Sequence, residues 1–367
     1  MKLFSGSYLT DDVQFLLKPI EIENTPIKEK EQLIQSGKKH YSEMITKESL
    51  PSERYTLLFD QVFAQNKQRM AVDLFRLAAK INQQKPAEIV LCSLARAGTP
   101  VGVLLKRILQ QYFDRDCVHY SLSIIRDRGI DANALRYILE KHPSQDGITF
   151  VDGWTGKGVI SRELQKSIAD FNQHHQTKIN ADLYVLNDIA GVAAVTVSYE
   201  DYLIPSSLLN ATISGLISRS ILNSDYIGKD DFHGCLYYAE FKNQDLSQWF
   251  VDEIMKAVAN LFNSANPALT AADNLADKQR VLQQSADFIK QLKQTYQINN
   301  VNLIKPGIGE ATRVLLRRLP DLLMLKNRHA EQTLHLAMLA MEKQVPVIEN
   351  PAMPYQAAAI IAEHKHD

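Results

Sequence analysis

The feature that most constrains this 367-residue chain is an alternation of short apolar runs with segments of helical spacing between residues 87 and 188. AEIVLC (87–92) is followed by the turn SLARAGTP and a helix from about 100 to 113. HYSLSII (119–125) alternates as a strand does, and DANALRYILEKH has helical spacing. ITFVD, the helix GVISRELQKSIADFNQHH and the strand ADLYVLND (181–188) continue the pattern. A strand that returns to its sheet through a helix lies parallel to its predecessor, so the pattern predicts an α/β fold with a parallel sheet. Such sheets hold ligands beyond the carboxyl ends of their strands.

A long helix over 53–82 precedes the alternation. Residues 200–245 break it with short polar segments, as do residues 1–50, and 246–298 reads as mostly helical. The small, polar interval 262–276 (FNSANPALTAADNLA) predicts a linker between a first domain, 1–261, and a smaller αβα domain, 277–367. In the second domain the reading is strand NVNLI, turn KPGIGEA, helix TRVLLRRL, strand DLLML, helix AEQTLHLAMLAMEKQ, strand VPVIE and a final helix. The net charge of −1 excludes a uniformly basic nucleic-acid binder while leaving room for a local basic patch. No apolar run reaches the roughly 18–20 residues that span a bilayer, so no membrane partner is expected. The N-terminus lacks the apolar core of a signal peptide. Cys92, Cys117 and Cys235 form no CxxC pair, which argues against a zinc site or a disulfide framework and predicts a cytoplasmic protein. Oligomeric state is not legible.

Two strand-to-helix turns carry the expected chemistry. In FVDGWTGKGV, glycines follow a strand and precede a helix, where free backbone N–H groups and the helix N-terminus favour an anion. Thr155, Gly156, Lys157 and Gly158 are the expected phosphate-binding residues. Asp152, at the strand end, could contact ribose hydroxyls or a water of a Mg2+ ion. The spacing matches neither GxxxxGK[ST] nor GxGxxG. SLARAGTPVGV repeats the theme with Ser93, Arg96, Ala97, Gly98 and Thr99. For each, an ordinary structural turn is the plain alternative.

FVDGWTGKG resembles the phosphoribosyl-pyrophosphate loop of type I phosphoribosyltransferases, and SLARAGTP resembles their pyrophosphate loop. FSGSY, EKEQLIQSGKKHYSEM, SLARAGTPVGVLLKR, HYSLSIIRDRGID, EDYLIPSSLLNATISGLISR and DFHG extend the resemblance over nearly the whole chain. They are similar to the phosphoribosyltransferase-like family with a C-terminal Pelota-type RNA-binding domain, found in tellurite-resistance (Ter) stress-response operons and also labelled cysteine protease StiP. The resemblance implies a phosphoribosyltransferase-like parallel sheet with a hood formed by the N-terminal and 200–245 segments. It implies an enzyme that binds phosphoribosyl pyrophosphate (or a nucleotide) with Mg2+ and transfers phosphoribose to or from a nucleobase-like acceptor, in making a nucleoside-like stress metabolite. Asp152, Arg126 and Arg128 would then be catalytic, and Asp201, Ser206, Asn210, Arg219 and His233 would face the acceptor. One departure is that Gly153 follows Asp152 where the general pattern has two adjacent acids.

Two other readings stand beside this one. A cysteine protease needs a thiolate, a histidine and an orienting group, and Cys235, adjacent to His233 and Gly234, is the candidate nucleophile. A non-catalytic, nucleotide-sensing RNA-binding regulator is the third. In the second domain, Lys305, Gly307, Gly309, Arg313, Arg317 and Arg318 place a glycine-rich turn and basic residues at a helix start, suited to a nucleic-acid backbone. A solvated basic helix face accounts for the same composition. Tyr355 is the only aromatic residue after position 298, so structured RNA is expected rather than a single strand read by stacking.

Overall fold

In the computed structural model, residues 3–85, 88–269, 278–317 and 319–361 are described. In chain order the elements are β1 (Gln14–Leu16), β2 (Lys18–Pro19), α1 (Ile27–Gln35), α2 (Glu53–Gln84), β3 (Ile89–Ala95), α3 (Thr99–Phe113), β4 (Cys117–Ile125) and β5 (Gly129–Ile130). There follow α4 (Ala132–Lys141), β6 (Ile148–Thr155), α5 (Val159–His175), β7 (Leu183–Asp188), β8 (Val195–Thr196), β9 (Gly234–Cys235) and α6 (Ser247–Asn263). Beyond the linker interval come α7 (Lys278–Thr295), β10 (Ile304–Pro306), α8 (Ile308–Arg317), β11 (Leu322–Leu325), α9 (Leu334–Glu342), β12 (Val347–Glu349) and β13 (Ala357–Ile360).

The central sheet has the order β1-β4-β3-β6-β7-β8, with every neighbouring pair along that path parallel and β5 folding back antiparallel on β4. Both faces are covered. In β3, Ile89 and Leu91 point to the side packed by α2, α3 and α6, while Val90, Cys92 and Leu94 point to the side packed by α4 and α5. A strand buried on both faces reads as a continuous apolar run, which is why IVLCSLA shows no alternation. The mixed α/β class and the mostly parallel sheet are as expected. Caps set two of the helix starts: Ser52 Oγ accepts the Tyr55 N–H at 3.3 Å, and Asp131 accepts the N–H groups of Asn133 (2.9 Å) and Ala134 (3.1 Å).

The C-terminal sheet has the order β10-β13-β11-β12. Its central strand, β13, is AAAI, antiparallel to both β10 and β11, where a final helix was expected. Alanine favours a helix when nothing else decides. Here all four residues are buried between two strands, and packing overrides propensity. Residues 200–245 are irregular but not a polar surface, since Tyr202, Leu203, Ile204, Leu208, Ile213, Ile217 and Ile221 are buried. Through Tyr202, Leu203 and Ile204 the first core runs on into Ile308, Ala311 and Leu315 of α8. Residues 270–276 of the expected linker lie outside the described residues.

Candidate functional site

The glycine turn after β6 is shorter than expected, because β6 continues through Gly153 and Trp154 to Thr155, which pairs with Asp188 of β7. The Thr155 hydroxyl donates to Asp188 Oδ1, and the same carboxylate accepts the N–H groups of Val192 (3.1 Å) and Ala193 (2.8 Å). Lys157 reaches into the second unit, where its Nζ donates to the carbonyls of Val301 (2.9 Å) and Ile304 (2.7 Å). Burial, with Lys305 nearby, pushes its ammonium down to about 7. Asp152 accepts the N–H of Gly153 at 2.8 Å. Desolvation pushes its carboxyl up to about 7, opposed by that hydrogen bond and by the Arg313 guanidinium. Gly158 begins α5 at φ +71°, and a side chain at Gly156 would meet open space.

The expected second turn narrows to residues 96–98, with Ser93 inside β3 and Thr99 opening α3. Ser93 is fully buried in β3, and its Oγ lies 2.8 Å from Nε2 of His119, whose Nδ1 is 2.9 Å from the Asp12 carbonyl. Burial pushes His119 down to about 3, so the ring is neutral and bonded on both sides. Thr99 Oγ1 lies 2.7 Å from Ser121 Oγ, inside the sheet–helix packing. At Gly98 a Cβ would stand 2.8 Å from the Val151 carbonyl, so this glycine lets α3 start close against β6; Ala97 follows Arg96 in the turn. Arg96 pairs with Glu48 and donates to the Ile217 carbonyl at 3.0 Å. Ser93 and Thr99 are therefore structural, against the expectation that they face a ligand.

The other arginines gather elsewhere, around Tyr41. The Arg126 and Arg219 guanidinium groups lie 5.2 Å and 5.6 Å from the centre of its ring. Its hydroxyl accepts the Arg126 N–H at 2.9 Å. Arg126 also pairs with Asp127 (3.1 Å), Arg128 with Glu43 (3.1 Å), and Arg219 donates to the Met44 carbonyl. Of the expected hood residues, Arg219 alone joins this cluster. Ser206 is buried, with no partner for its hydroxyl among the described residues. The Asn210 carbonyl accepts the Ile213 N–H at 3.4 Å. His233 is buried with Nδ1 2.8 Å from Ser123 Oγ, and its backbone N–H donates to Asp131. Asp201 belongs to a different place altogether. Its carboxylate accepts the N–H of Ile308 (3.0 and 3.2 Å) and of Gln356 (2.8 Å), so it sits on the start of α8.

Lys305 and Gly307 lie at that same start, Gly307 at φ +88° with its N–H donated to the Ala357 carbonyl at 2.8 Å. A Cβ at Gly309 would approach Ser207 Oγ and Leu203 Cδ1 at 3.7 and 3.8 Å. Arg313 pairs with Glu310 at 3.2 Å. The side chain of Arg317 and all of Arg318 lie outside the described residues.

All three thiols are buried. Burial raises Cys117 to about 12, and Cys92 and Cys235 further still. Among the described residues no group of three His, Cys, Asp or Glu side chains could hold a metal ion. The expected Mg2+ contact was through a water on Asp152, whose carboxylate accepts the Gly153 N–H in this structure. No helix among the described residues is long and apolar enough to cross a membrane. What the sequence reading missed is the groove beside β9, with a volume of about 500 Å3. Ile20, Ile22, Leu236, Tyr237 and Tyr238 line it, with Glu21, Glu23 and Glu240 among its charged groups. The alternation IEIE at 20–23 is its only sequence signal.

A family model described as tellurite-like stress resistance cysteine protease StiP matches residues 6–255, and one described as PELOTA RNA binding domain matches residues 283–363. A protein of Acinetobacter baylyi (strain ATCC 33305 / BD413 / ADP1) named cysteine protease StiP is 43% identical over 368 residues, covering 98% of this chain and 94% of that protein. These findings overturn the expected phosphoribosyl transfer, since both names carry proteolysis and neither carries a phosphoribosyl chemistry. The geometry agrees at the turn that carried the expectation: Thr155 and Lys157 are spent on Asp188 and on the second unit. The expected sugar-phosphate and nucleobase partners lose their support with it.

Proposed function

Because the chain belongs to the tellurite-like stress resistance cysteine protease StiP family, we propose that it is a thiol-dependent peptidase joined to an RNA-binding unit, with Cys235 as the nucleophile. The observation that carries the choice of thiol is the position of β9. Cys92 and Cys117 lie within the central sheet, whereas Cys235 lies on the two-stranded β2–β9 ribbon, where the chain runs on into the open groove at Leu236–Tyr238. His233 and Cys235 are two residues apart along an extended segment, so both side chains leave the same face.

The chemistry follows from those groups. The sulfur adds to a peptide carbonyl, the C–N bond breaks, the amine leaves with a proton, and water then releases the acyl group from sulfur. His233 is the base within reach after rearrangement. Two residues of strand span roughly 6–7 Å, so the ring must swing from Ser123 toward the sulfur. As it stands here the Cys235 thiol is fully buried with a raised pKa, which keeps it protonated, so turnover requires its exposure. The ribbon covering it is thin. Lys18 N–H to the His233 carbonyl and Ile20 N–H to the Cys235 carbonyl, both 2.9 Å, join its two-residue strands. On the other edge of β9, Gly234 exchanges two 2.7 Å hydrogen bonds with Ile221, so exposing the thiol requires local opening on both sides.

The test is peptide hydrolysis by the full chain, with and without RNA, together with mass spectrometry after an electrophilic thiol probe. Cys235→Ala should abolish turnover and labelling, while Cys92→Ala and Cys117→Ala should keep both. Activity retained in Cys235→Ala sinks the assignment. The burial of all three thiols favours a second reading, a non-catalytic RNA-binding regulator, and absence of any thiol-dependent cleavage by the wild-type chain would select it. Under either reading the PELOTA match and the glycine turn at the start of α8 support binding of structured RNA through the second unit.

A further inference from the structure

The turn that should grip RNA is covered. Pro306, Gly307 and Ile308 are buried, and the residues facing them belong to the first unit. A Cβ on Gly307 would stand 2.6 Å from Ile189 Cδ1 and 3.2 Å from Asp201 Oδ1, so the glycine is what permits so close an approach. Into this turn the chain inserts a carboxylate. Asp201 accepts N–H groups from two separate segments: Ile308 at the start of α8, and Gln356 just ahead of β13. Backbone amides converging from a glycine turn and a helix N-terminus form an anion cradle, the arrangement that also holds a phosphate.

Asp201 is held in place by its neighbours. Glu200 pairs with Arg69 at 2.6 Å, the Arg69 guanidinium lies 3.9 Å from the centre of the Tyr202 ring, and the Tyr202 hydroxyl donates to Asp73 at 2.8 Å. The residues on both sides of Asp201 thus contact α2, Tyr202 through a buried hydrogen bond and Glu200 through an exposed ion pair. A second contact lies beside it, where Lys157 caps the Val301 and Ile304 carbonyls just ahead of the turn. Arg54 to Glu342 is a third, more exposed link.

We propose that Asp201 is an internal stand-in for an RNA phosphate, so that the first unit and RNA compete for one amide cradle at Ile308 and Gln356. The proposal rests on the RNA-binding reading of the second unit. RNA binding is then weakened by the fraction of molecules in which the cradle is closed, and whatever removes Asp201 restores it. Asparagine is nearly the same shape but uncharged, and it presents a donor where the carboxylate presented only acceptors.

The experiment uses the full chain, a fluorescently labelled hairpin RNA with an internal loop, and amide hydrogen exchange. Asp201→Asn should speed exchange at Ile308 and Gln356 and tighten RNA binding on the order of tenfold. Lys157→Gln, which leaves Asp201 in place, should shift both in the same direction by less, and thermal melts confirm that each variant is folded. Unchanged exchange in Asp201→Asn overturns the proposal, and so does faster exchange with unchanged RNA affinity. If the cradle opens yet no protein binds the RNA, the RNA-binding reading fails and takes the proposal with it.

Discussion

Asp152 shows how a single residue placed for one purpose by its sequence context can be read for another in the structure. Its carboxyl is crowded by protein, accepts one short hydrogen bond from Gly153, and is raised from 3.8 to about 7, mainly by loss of solvent. The folded chain therefore holds this proton more tightly than the unfolded chain does. The resulting contribution to stability is fully present below about pH 4 and is lost as pH rises through about 7. Above pH 7 the fold must carry a poorly solvated charge that Arg313 only partly offsets. Asp152→Asn, which keeps the shape and removes the charge, should raise the melting temperature at pH 8 by several degrees. Below about pH 3.5, where the carboxyl is protonated in both the folded and the unfolded chain, the two proteins should melt within a degree or so of each other. Equal destabilisation at both pH values would show that the ionised carboxylate is well solvated or well paired. Residues of this kind are where sequence reading does worst. Ser93, Thr99, Thr155 and Lys157 have the right chemistry for an anion site, but their partners, His119, Ser121, Asp188 and Val301, are brought to them only by the fold. Asp201 looked like one polar residue among many in an irregular stretch, because its two amide donors lie more than a hundred positions away.

At the scale of elements, much more was legible. The four inner strands β3, β4, β6 and β7 were visible as apolar runs bounded by turn residues, whereas the short outer strands β1 and β8 were not read as strands. Boundaries shifted where a strand continues through small or polar residues, as at 93–95 and 153–155, since these look like turn from sequence alone. The larger error was β13, where a tract of alanines forms the central strand of the small sheet. The alanines are small because they must be: Ala357 and Ala359 face the core shared with α8, while Ala358 faces Phe288 and Tyr355 on the other side. A leucine at 359 would overfill that space. Ala359→Leu should lower stability by about 1–3 kcal/mol, seen as a lower urea midpoint with an unchanged slope. On the exposed helix that the sequence suggested, the same change would be close to neutral.

For the whole molecule, the question is whether two matched families make two independent bodies. The contact between them is mixed. Asp201 and Lys157 supply its polar half, and Leu203, Ile204, Ile308 and Leu315, all buried, join its apolar half to a core that runs through both units. Burial of this kind couples the two unfolding reactions, so the full chain should melt in one calorimetric transition rather than two. Leu203 lies against Gly309 with no part in the amide cradle, which makes it a means of weakening the apolar half alone. Leu203→Ala should cost about 2–5 kcal/mol and separate the transition into two, with Asp201 still seated on Ile308 at low temperature. Two transitions already present in the wild-type chain would mean that the contact is too weak to couple the units, and a carboxylate finger would then have little to hold closed. One transition in both proteins would place the coupling in the polar half, and Asp201→Asn would be the variant that splits it.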